Sequence, residues 1–441
     1  MKKDNIDRRE FVKGGASVVA GAVLAGTSLA RVAPLERLRY AIIGTGHRAT
    51  GMWGKDIAER YKDVVEFVGL CDINPLRVEA GKKLIGADCP TFTDFDKMIE
   101  TAKPSTVMVT TVDSTHHKFI KRALEKGVNV ITEKPMVIEA KDCQSVLDAE
   151  KKHGRNIIVT FNYRYAPKHE KIKQIISSGE IGKVISVDFS WYLDTRHGAD
   201  YFRRWHRLKS GGGSLWVHKA THHFDLINWF LDADPVEVTA YGALNVYGKN
   251  GPFRHSNCRP CLHKTKCPFY WDITKEARLT KLYSECESAD GYYRDGCVYR
   301  DDVDIYDSMS AIVRYTNGAS LAYSLNAAMP LEGYRLAFNG TKGRLEVRDY
   351  ERQPWEVARE STAFLSKNFG KHEELDMPQI KGGHSGGDDR LRDVIFRNAS
   401  VPDYLKLPSA RAGAMSCMVG VAARTSVEEQ RPVKINELVK V

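Results

Sequence analysis

The sequence predicts an α/β protein of two domains. The first has a doubly wound parallel sheet, and the second is an α+β domain with a large, mainly antiparallel open sheet. Three observations support this: an apolar strand runs into a glycine-rich turn at residues 44–51, strands and helices alternate as far as residue 160, and later strands are separated by turn pairs such as Asn317-Gly318. We expect domains at residues 37–160 and 161–441, with a cysteine-rich insertion at about 250–300.

The first predicted strand, residues 39–44, leads into the pattern Gly44-x-Gly46-x-x-Ala49 and a helix that starts near Met52. Gly44 permits a tight turn, Gly46 lets the backbone approach a pyrophosphate, and the small Ala49 lets the helix pack closely on the strand. The N-terminus of that helix offers unpaired N–H groups to an anion. This pattern is typical of a Rossmann fold that binds a dinucleotide.

An acidic residue follows at the distance that such a fold requires. The second strand, residues 65–70, ends at Cys71-Asp72, about 20 residues beyond the glycines, where a carboxylate accepts hydrogen bonds from both ribose hydroxyls of an adenosine. Asp72 would also repel a 2′-phosphate, which favours NAD over NADP. A glycine turn in an unrelated α/β domain is the alternative, and the two features together weigh against it.

Two further strands, residues 106–111 and 128–132, flank a helix at residues 117–126 that closes at Gly127. In a doubly wound sheet the ligand binds at the carboxyl ends of the strands, and polar residues follow both of these strands. The residues that we expect to contact the dinucleotide are Gly44, Gly46, His47, Arg48, Asp72, Thr111, His116, Glu133 and Lys134.

Several motifs together resemble the Gfo/Idh/MocA family of sugar and cyclitol oxidoreductases. They are the glycine loop, the turn at residues 111–116, the triplet Glu133-Lys134-Pro135, the segment Asn162-x-Arg164-Tyr165 and the stretch from Gly211-Gly212-Gly213 to Asp225. The turn is similar to the family's T-P-N-x-x-H, with Val112 and Asp113 in place of Pro and Asn. The resemblance covers nearly the whole chain after its N-terminal segment.

The resemblance implies that Lys134 is the catalytic lysine, which hydrogen-bonds the reacting hydroxyl and the nicotinamide ribose, and that Pro135 holds a cis bond that aims it. An ammonium at this strand end stabilises an alkoxide as hydride departs. His222 matches the family's histidine and is therefore implied as the general base, because an imidazole that titrates near neutrality suits proton removal.

His218 lies one helical turn before His222 and departs from the family's aspartate at that position. It could contact a substrate hydroxyl, serve as a second acid or base, or pack against its neighbours. The two histidines also have a zinc-like spacing, but no carboxylate lies between them as in H-E-x-x-H.

From residue 181 onward, the predicted strands indicate a larger sheet, one face of which would cover the nicotinamide. These strands are residues 184–192, 236–247, 308–315, 320–326, 334–339 and 343–347. A ring-shaped, hydroxyl-rich carbohydrate needs polar donors and flat apolar surfaces. The residues that we expect to contact it are Asn162, Arg164, Tyr165, Arg196, His197, Trp205 and His384. In this family an open antiparallel sheet commonly pairs with a second copy, so the resemblance implies a homo-oligomer.

Five of the nine cysteines fall in the insertion, in the pattern Cys258-x2-Cys261-x5-Cys267-x18-Cys286-x10-Cys297. A C-x2-C start followed by further cysteines suits a tetrahedral thiolate site, so we predict a structural Zn²⁺ bound by Cys258, Cys261, Cys267 and Cys286, with Cys297 as the alternative fourth ligand. Two disulfides with one spare thiol are the rival interpretation, which an exported protein permits. Either arrangement would hold together a loop that cannot bury a core of its own.

Residues 1–30 carry the pattern of a twin-arginine export signal. Arg8-Arg9 precedes Phe11 and Lys13, an uncharged stretch covers residues 14–30, and a small-x-small site ends it at Ser28-Leu29-Ala30. We expect the twin-arginine machinery to export the protein to the periplasm or beyond, with no stable membrane insertion after processing; a membrane anchor or a disordered tail is the alternative. The formal net charge of +10 is scattered, so we expect no nucleic-acid partner.

We therefore predict an exported NAD-dependent oxidoreductase that acts on a hydroxyl of a sugar or sugar derivative. No replenished pool of free NAD is expected outside the cytoplasm, so the cofactor should stay bound and be regenerated within each cycle. The family's glucose-fructose oxidoreductases meet this condition. Its NAD-dependent glycosidases meet it by transient oxidation, elimination of the glycosidic substituent and return of the hydride, which is the alternative function. A non-catalytic sugar-binding protein is the second alternative.

Overall fold

The computed structural model describes residues 37–441, which form one parallel and one mainly antiparallel sheet. The predicted export signal at residues 1–30 lies outside the described residues. Within residues 37–441, every helix is too short or too polar to cross a bilayer. The two sheets confirm the predicted fold class.

The first sheet is a six-stranded parallel sheet with the order β3-β2-β1-β4-β5-β6. Its strands are β1 (Leu38–Ile43), β2 (Val65–Cys71), β3 (Thr91–Phe92), β4 (Thr106–Val109), β5 (Asn129–Thr132) and β6 (Ile157–Val159). The strand order reverses direction between β1 and β4, which is the switch point where a doubly wound sheet binds its ligand. The predicted Rossmann domain is therefore doubly wound.

The register of this sheet aligns the carboxyl ends of four strands. Ile43 of β1 pairs with Cys71 of β2 and with Val109 of β4, and Val109 pairs with Thr132 of β5. The glycine loop, Asp72, the turn after β4 and the segment after β5 therefore leave the sheet side by side.

Helices cover both faces of the first sheet. The first begins as a π-helical turn, Ala49–Lys55, and continues as Asp56–Arg60, so the predicted start near Met52 was wrong by about one turn. The glycine loop is short, so the helix already includes the small and fully buried Ala49. The other helices are Pro75–Ile85, Phe95–Ala102, His116–Glu125 and Ala140–His153.

The second sheet has nine strands in the order β14-β13-β12-β11-β7-β10-β9-β8-β15. They are β7 (Val184–Asp194), β8 (Pro235–Ala243), β9 (Ser308–Tyr315), β10 (Ser320–Met329), β11 (Glu332–Gly340), β12 (Gly343–Arg352), β13 (Ser361–Lys367), β14 (His372–Leu375) and β15 (Val433–Lys434). All neighbours are antiparallel except β7 and β10. The predicted strand at 236–247 ends earlier, because residues 244–307 leave the sheet as the cysteine-rich insertion.

Helices pack on one face of this sheet and reach the first domain. The longer ones are Pro167–Ser177, Thr195–Arg203, Ala220–Leu231, Gly387–Arg397 and Ala410–Glu429. Helix Ala410–Glu429 is buried along most of its length, and its small residues let other elements approach closely: Gly413 faces Met136 and Val159, and Gly420 faces the Trp216 carbonyl. This helix therefore joins the parallel sheet to the elements that carry the predicted histidines.

Candidate active site

Lys134 lies just beyond β5, at the carboxyl edge of the parallel sheet. The Lys134–Pro135 peptide bond is cis, and the Lys134 Nζ donates a hydrogen bond to the His218 carbonyl at 3.0 Å. Burial lowers the pKa of Lys134 to about 8, although the carboxylates of Asp113 and Glu133 oppose this shift. The lysine thus joins the two domains and titrates close to neutrality.

His116 fixes the loop that carries Lys134. Its Nδ1 lies 2.8 Å from the Pro135 carbonyl and its Nε2 lies 3.1 Å from the Thr111 carbonyl. The His116 ring therefore lies between the turn after β4 and the segment after β5 and contacts a carbonyl oxygen of each.

Glu133 anchors the first helix beneath the glycine loop. Its Oε1 accepts hydrogen bonds from the Arg48 Nε at 2.6 Å and from the Trp53 indole at 2.7 Å. Burial raises the pKa of Glu133, but the positive charge of Arg48 and these two hydrogen bonds outweigh it, and the pKa is lowered overall. Glu133 and Arg48 thus form a partly buried ion pair that positions the loop.

Asp113 and His218 form a short hydrogen bond beside Lys134. The Asp113 Oδ2 lies 2.5 Å from the His218 Nδ1. Burial raises the pKa of Asp113 well above its usual range, and burial together with His206 and Lys134 lowers the pKa of His218 well below its usual range. A hydrogen bond at this distance requires one proton between Oδ2 and Nδ1.

His206, a residue that sequence analysis did not select, completes this group. Its ring stacks on Trp205 at 3.5 Å and meets the His218 ring edge-on at 4.0 Å. Among residues 37–441, Asp113, His206 and His218 are the three groups whose possible metal-ligand atoms all lie within 4.8 Å of one another. A divalent ion would have to compete there with the Lys134 ammonium, which acts on the same carboxylate.

His222 is buried on the other side of this cleft. Its ring lies 4.7 Å from Tyr163 and 5.7 Å from His384, measured between centroids. Burial, with Lys134 and His384 nearby, lowers the pKa of His222 well below its usual range, so the imidazole is neutral and does not titrate near neutrality as we expected from the sequence. Its Nδ1 has no hydrogen-bond partner among the described residues.

Tyr163 and Lys219 add an aromatic wall and a second ammonium that sequence analysis missed. The Lys219 Nζ lies 4.7 Å from the Trp191 ring and 5.9 Å from the Tyr163 ring. Burial lowers the pKa of Lys219, and its charge acts on Lys134, His218 and His222. A lysine directly after His218 in the sequence was the available signal.

Two of the predicted substrate contacts, Asn162 and His384, lie beside each other. The Asn162 Nδ2 lies 2.9 Å from the His384 Nδ1, and that same nitrogen lies 2.9 Å from the Asp388 Oδ1. The charge of Arg48 and the hydrogen bond to His384 keep the pKa of Asp388 low although burial raises it. Trp205 lies behind His206, 5.9 Å from the His218 ring.

The other four predicted substrate contacts are ion-paired, buried or exposed to solvent. Arg164 forms a bidentate ion pair with the buried Asp225, at 2.7 and 2.5 Å, and Tyr165 is fully buried. Arg196 is exposed. The His197 Nδ1 binds the Glu332 carboxylate at 2.9 Å. Arg164 and Tyr165 are therefore parts of the core, because the turn after Asn162 directs both side chains inward.

The dinucleotide loop has the predicted geometry. Gly44 has a φ of +90°, and a Cβ there would come within 2.7 Å of the Thr111 backbone nitrogen. Asp72 is buried beside this loop, where its Oδ2 accepts a hydrogen bond from the Thr45 backbone nitrogen at 2.8 Å. The residues present therefore fit a dinucleotide, with the pyrophosphate at the loop and the adenosine ribose toward Asp72.

The cysteine-rich insertion gathers Cys297, rather than Cys286, with the first three cysteines. One cavity of about 10 Å³ is lined by Cys258, Cys261, Cys267 and Cys297. Cys286 lies apart from it, and its Sγ donates to the Lys281 carbonyl at 3.2 Å. All nine cysteines are free thiols.

Family models match both domains. A model described as "Oxidoreductase family, NAD-binding Rossmann fold" matches residues 38–161, and a model described as "Oxidoreductase family, C-terminal alpha/beta domain" matches residues 173–435. The chain belongs to the Gfo/Idh/MocA oxidoreductase family. The resemblance inferred from its motifs is thereby confirmed, and the protein is an NAD-binding oxidoreductase of that family.

Individual relatives of this Gfo/Idh/MocA protein differ in their sequence identity to it and in the length of the aligned region. It is 39% identical to "Putative oxidoreductase YteT" of Bacillus subtilis (strain 168) over 417 residues. The aligned region covers 90% of this chain and 97% of that protein. It is 26% identical over 178 residues to an inositol 2-dehydrogenase/D-chiro-inositol 3-dehydrogenase of Lactiplantibacillus plantarum. That aligned region covers 40% of this chain and 48% of the relative.

A solved structure shares the fold. The WlbA dehydrogenase from Bordetella pertussis, in complex with NADH and UDP-GlcNAcA, is 16% identical and superposes with a TM-score of 0.61 over 90% of this chain and 99% of that chain. At this level of identity the likeness shows the Gfo/Idh/MocA fold alone.

Proposed function

We propose that this protein is an exported NAD-dependent oxidoreductase that acts on a hydroxyl of a sugar or sugar derivative and retains its cofactor through the catalytic cycle. The observation that carries the proposal is the placement of Lys134. Its Nζ is fixed by the His218 carbonyl at the carboxyl edge of the parallel sheet, and its charge acts on the buried, neutral His222. An ammonium and a neutral imidazole at one cleft suit the oxidation of an alcohol.

NAD, when bound, accepts the hydride from the substrate carbon. The glycine loop and Asp72 would hold its pyrophosphate and ribose, which directs the nicotinamide toward Lys134. The Lys134 Nζ binds the reacting oxygen and stabilises the negative charge that develops there. His222 accepts the hydroxyl proton, because burial keeps its imidazole neutral. Tyr163 and His384 enclose the side of His222 and exclude water from it.

The Arg8-Arg9 pattern supports export, and export supports retention of the cofactor, since a released NADH would not be replaced outside the cytoplasm. The test is spectroscopic. Purified protein should carry bound nucleotide, and its near-ultraviolet absorbance should rise on addition of a sugar substrate and fall on addition of an oxidised acceptor sugar. Sugar binding without any change in absorbance would favour a non-catalytic sugar-binding protein.

A second candidate is an NAD-dependent glycoside hydrolase, and the Asp113–His218 pair is the observation that favours it. Transient oxidation acidifies the neighbouring C–H, and elimination of the glycosidic substituent then needs a second acid or base besides His222. A pair that holds one proton next to Lys134 supplies that group. Release of aryl alcohol from aryl glycosides, with no net change in bound nucleotide, would select this function over net oxidation and reduction.

We also propose that the insertion binds a structural Zn²⁺ through Cys258, Cys261, Cys267 and Cys297. Their sulfurs accept hydrogen bonds as metal-bound thiolates do: Cys258 from the Arg203 Nη1 at 3.1 Å, and Cys297 from the Tyr299 backbone nitrogen at 3.4 Å. The sulfurs surround one cavity but are not all within 4.8 Å of one another, so the loop must tighten around the ion. Metal analysis of the untreated protein should find about one zinc per chain, and two disulfides without metal would contradict the proposal.

Association of two copies through the outer face of the nine-stranded sheet is proposed as well. Tyr241 of β8 and Ile312 of β9 are each at least half exposed on that face. Exposed apolar groups of this size favour contact with another protein surface. Light scattering of the wild-type protein and of the Ile312→Lys variant tests this: a wild-type monomer would contradict it.

A further inference from the structure

The cover segment, residues 277–290 of the cysteine-rich insertion, lies directly on the dinucleotide loop. The Tyr283 hydroxyl accepts a hydrogen bond from the His47 backbone nitrogen at 2.9 Å, and the Arg278 Nη2 donates to the His47 carbonyl at 2.9 Å and to the Thr50 Oγ1 at 2.7 Å. These atoms belong to the loop and the first turn of the helix that follow Gly44 and Gly46. In a Rossmann fold the N–H groups of this turn face the pyrophosphate.

The cover segment also contacts the adenosine side of the site. The Asn74 Nδ2 donates to the Cys286 carbonyl at 2.9 Å. Arg77 donates to the Leu282 carbonyl at 3.2 Å and to the Asp290 carboxylate at 2.6 Å. Asn74 and Arg77 follow Asp72 in the sequence, Asn74 as the N-cap of the next helix and Arg77 in its first turn. One short segment therefore touches both halves of the dinucleotide site.

Arg278 is the residue of the cover segment that would attract an anion. Among residues 37–441, no carboxylate lies within ion-pair distance of its guanidinium, and burial lowers its pKa. It borders a cavity of about 420 Å³ whose other walls include His47, Arg48 and Gly51 from the loop and helix, and Gly383 and Asp388 from the second domain. A cavity of this volume is in the range of small-molecule sites. Arg48 is paired with the Glu133 carboxylate, whereas Arg278 donates to the neutral His47 carbonyl and Thr50 hydroxyl. The cavity is also lined by Arg60 and Arg392 and by the carboxylates of Asp56 and Asp389.

We propose that the cover segment forms an outer wall of the dinucleotide site, in which Arg278 binds the cofactor's pyrophosphate and Tyr283 closes the loop, so that NAD dissociates slowly. This inference rests on the proposed function and gives a structural cause for cofactor retention. The insertion is then more than a surface loop: its cysteine cluster holds the wall in place, and the wall holds the cofactor.

Two glycines lie where the cover segment contacts the loop. A Cβ at Gly46 would come within 3.0 Å of the Tyr283 hydroxyl, and a Cβ at Gly51 would come within 2.8 Å of the Arg278 guanidinium. The glycine positions that let a pyrophosphate approach the loop therefore also let the cover segment contact it.

The test is the rate at which bound NADH leaves the full-length protein, followed by the loss of its fluorescence after addition of excess NAD. The variants are Arg278→Ala and Tyr283→Phe. Arg254→Ala is the matched control, because Arg254 lies in the same insertion but pairs with the exposed Asp301. We expect Arg278→Ala to raise the dissociation rate about 10- to 100-fold, as loss of a charge-assisted hydrogen bond does, and Arg254→Ala to leave it unchanged.

Thermal unfolding of each variant separates loss of the wall from loss of the fold. Dissociation from Arg278→Ala at the wild-type rate, or more slowly, would overturn the inference while leaving the proposed function intact. A wild-type protein that binds no nicotinamide dinucleotide at all would overturn the proposed function itself.

Discussion

The Asp113 Oδ2 lies 2.5 Å from the His218 Nδ1, and both residues depart from the pattern of the family. The family motif has asparagine where this chain has Asp113 and aspartate where it has His218. The two departures from the family pattern therefore meet in one hydrogen bond, and we expect the two residues to act together.

The contact between Asp113 and His218 leads to a prediction for a single and a double variant. Asp113→Asn should lower the rate of any step that needs a second acid or base by about 100-fold or more, because the proton between Oδ2 and Nδ1 is lost. The double variant Asp113→Asn with His218→Asp restores the family pattern and should still oxidise a sugar hydroxyl. Rates of glycoside cleavage and of nucleotide reduction measured side by side test this; equal losses in both reactions would contradict a separate role for the pair.

Lys134 predicts the pH dependence of oxidation. With a pKa of about 8, the side chain is an ammonium below that pH and an amine above it, so stabilisation of the alkoxide is lost as the pH rises through 8. The profile of kcat/KM should therefore have a basic limb near pH 8. Lys134→Arg, which stays protonated, should retain slow turnover without that limb. A limb at the same pH in the arginine variant would assign it to another group.

Arg164 predicts an effect on stability rather than on substrate binding. Removal of its guanidinium leaves the Asp225 carboxylate buried without its bidentate partner, so Arg164→Ala should destabilise the protein by about 3–5 kcal/mol. The exposed Arg196→Ala is the control and should unfold at the same denaturant concentration as the wild type. If Arg164→Ala keeps wild-type stability but raises KM, the residue binds substrate after all.

The cysteine cluster predicts a contrast between two buried thiols. Cys297→Ser removes a proposed zinc ligand and should lose bound zinc, whereas Cys286→Ser should retain it, because Cys286 lies outside the cavity. Metal content and unfolding temperature report the difference, and chelator treatment of the wild type should reproduce the Cys297→Ser behaviour. Equal zinc content in the two variants would exclude Cys297 as a ligand.

Features set by short stretches of sequence could be predicted. The glycine loop, the strands that precede it and follow it, and the position of Lys134 depend on local turns and on alternating strands and helices. The bounds of the predicted strands and helices differ by a few residues, chiefly at the first helix and at the ends of β8 and β12, and strands β13 and β14 were not predicted.

Contacts between distant residues could not be predicted from local patterns. Tyr283 and His47 lie 236 residues apart, and Arg164 and Asp225 lie 61 apart, so neither pair leaves a signal in spacing. The spacing of the cysteines did not distinguish Cys286 from Cys297, because the loop between them folds onto the dinucleotide site. The Asp113–His218 contact was the exception, since two departures from one family pattern could have suggested that they compensate.

The most direct test of the central claim follows the bound nicotinamide during a single turnover. Purified protein is mixed with a panel of free sugars and aryl glycosides, and the fluorescence of reduced nicotinamide is recorded for the wild type and for Lys134→Ala. We predict transient reduction in the wild type with at least one sugar, and none in the lysine variant although its nucleotide stays bound. Reduction at the wild-type rate in Lys134→Ala, or a wild-type protein that neither carries nor binds a nicotinamide dinucleotide, would contradict the account.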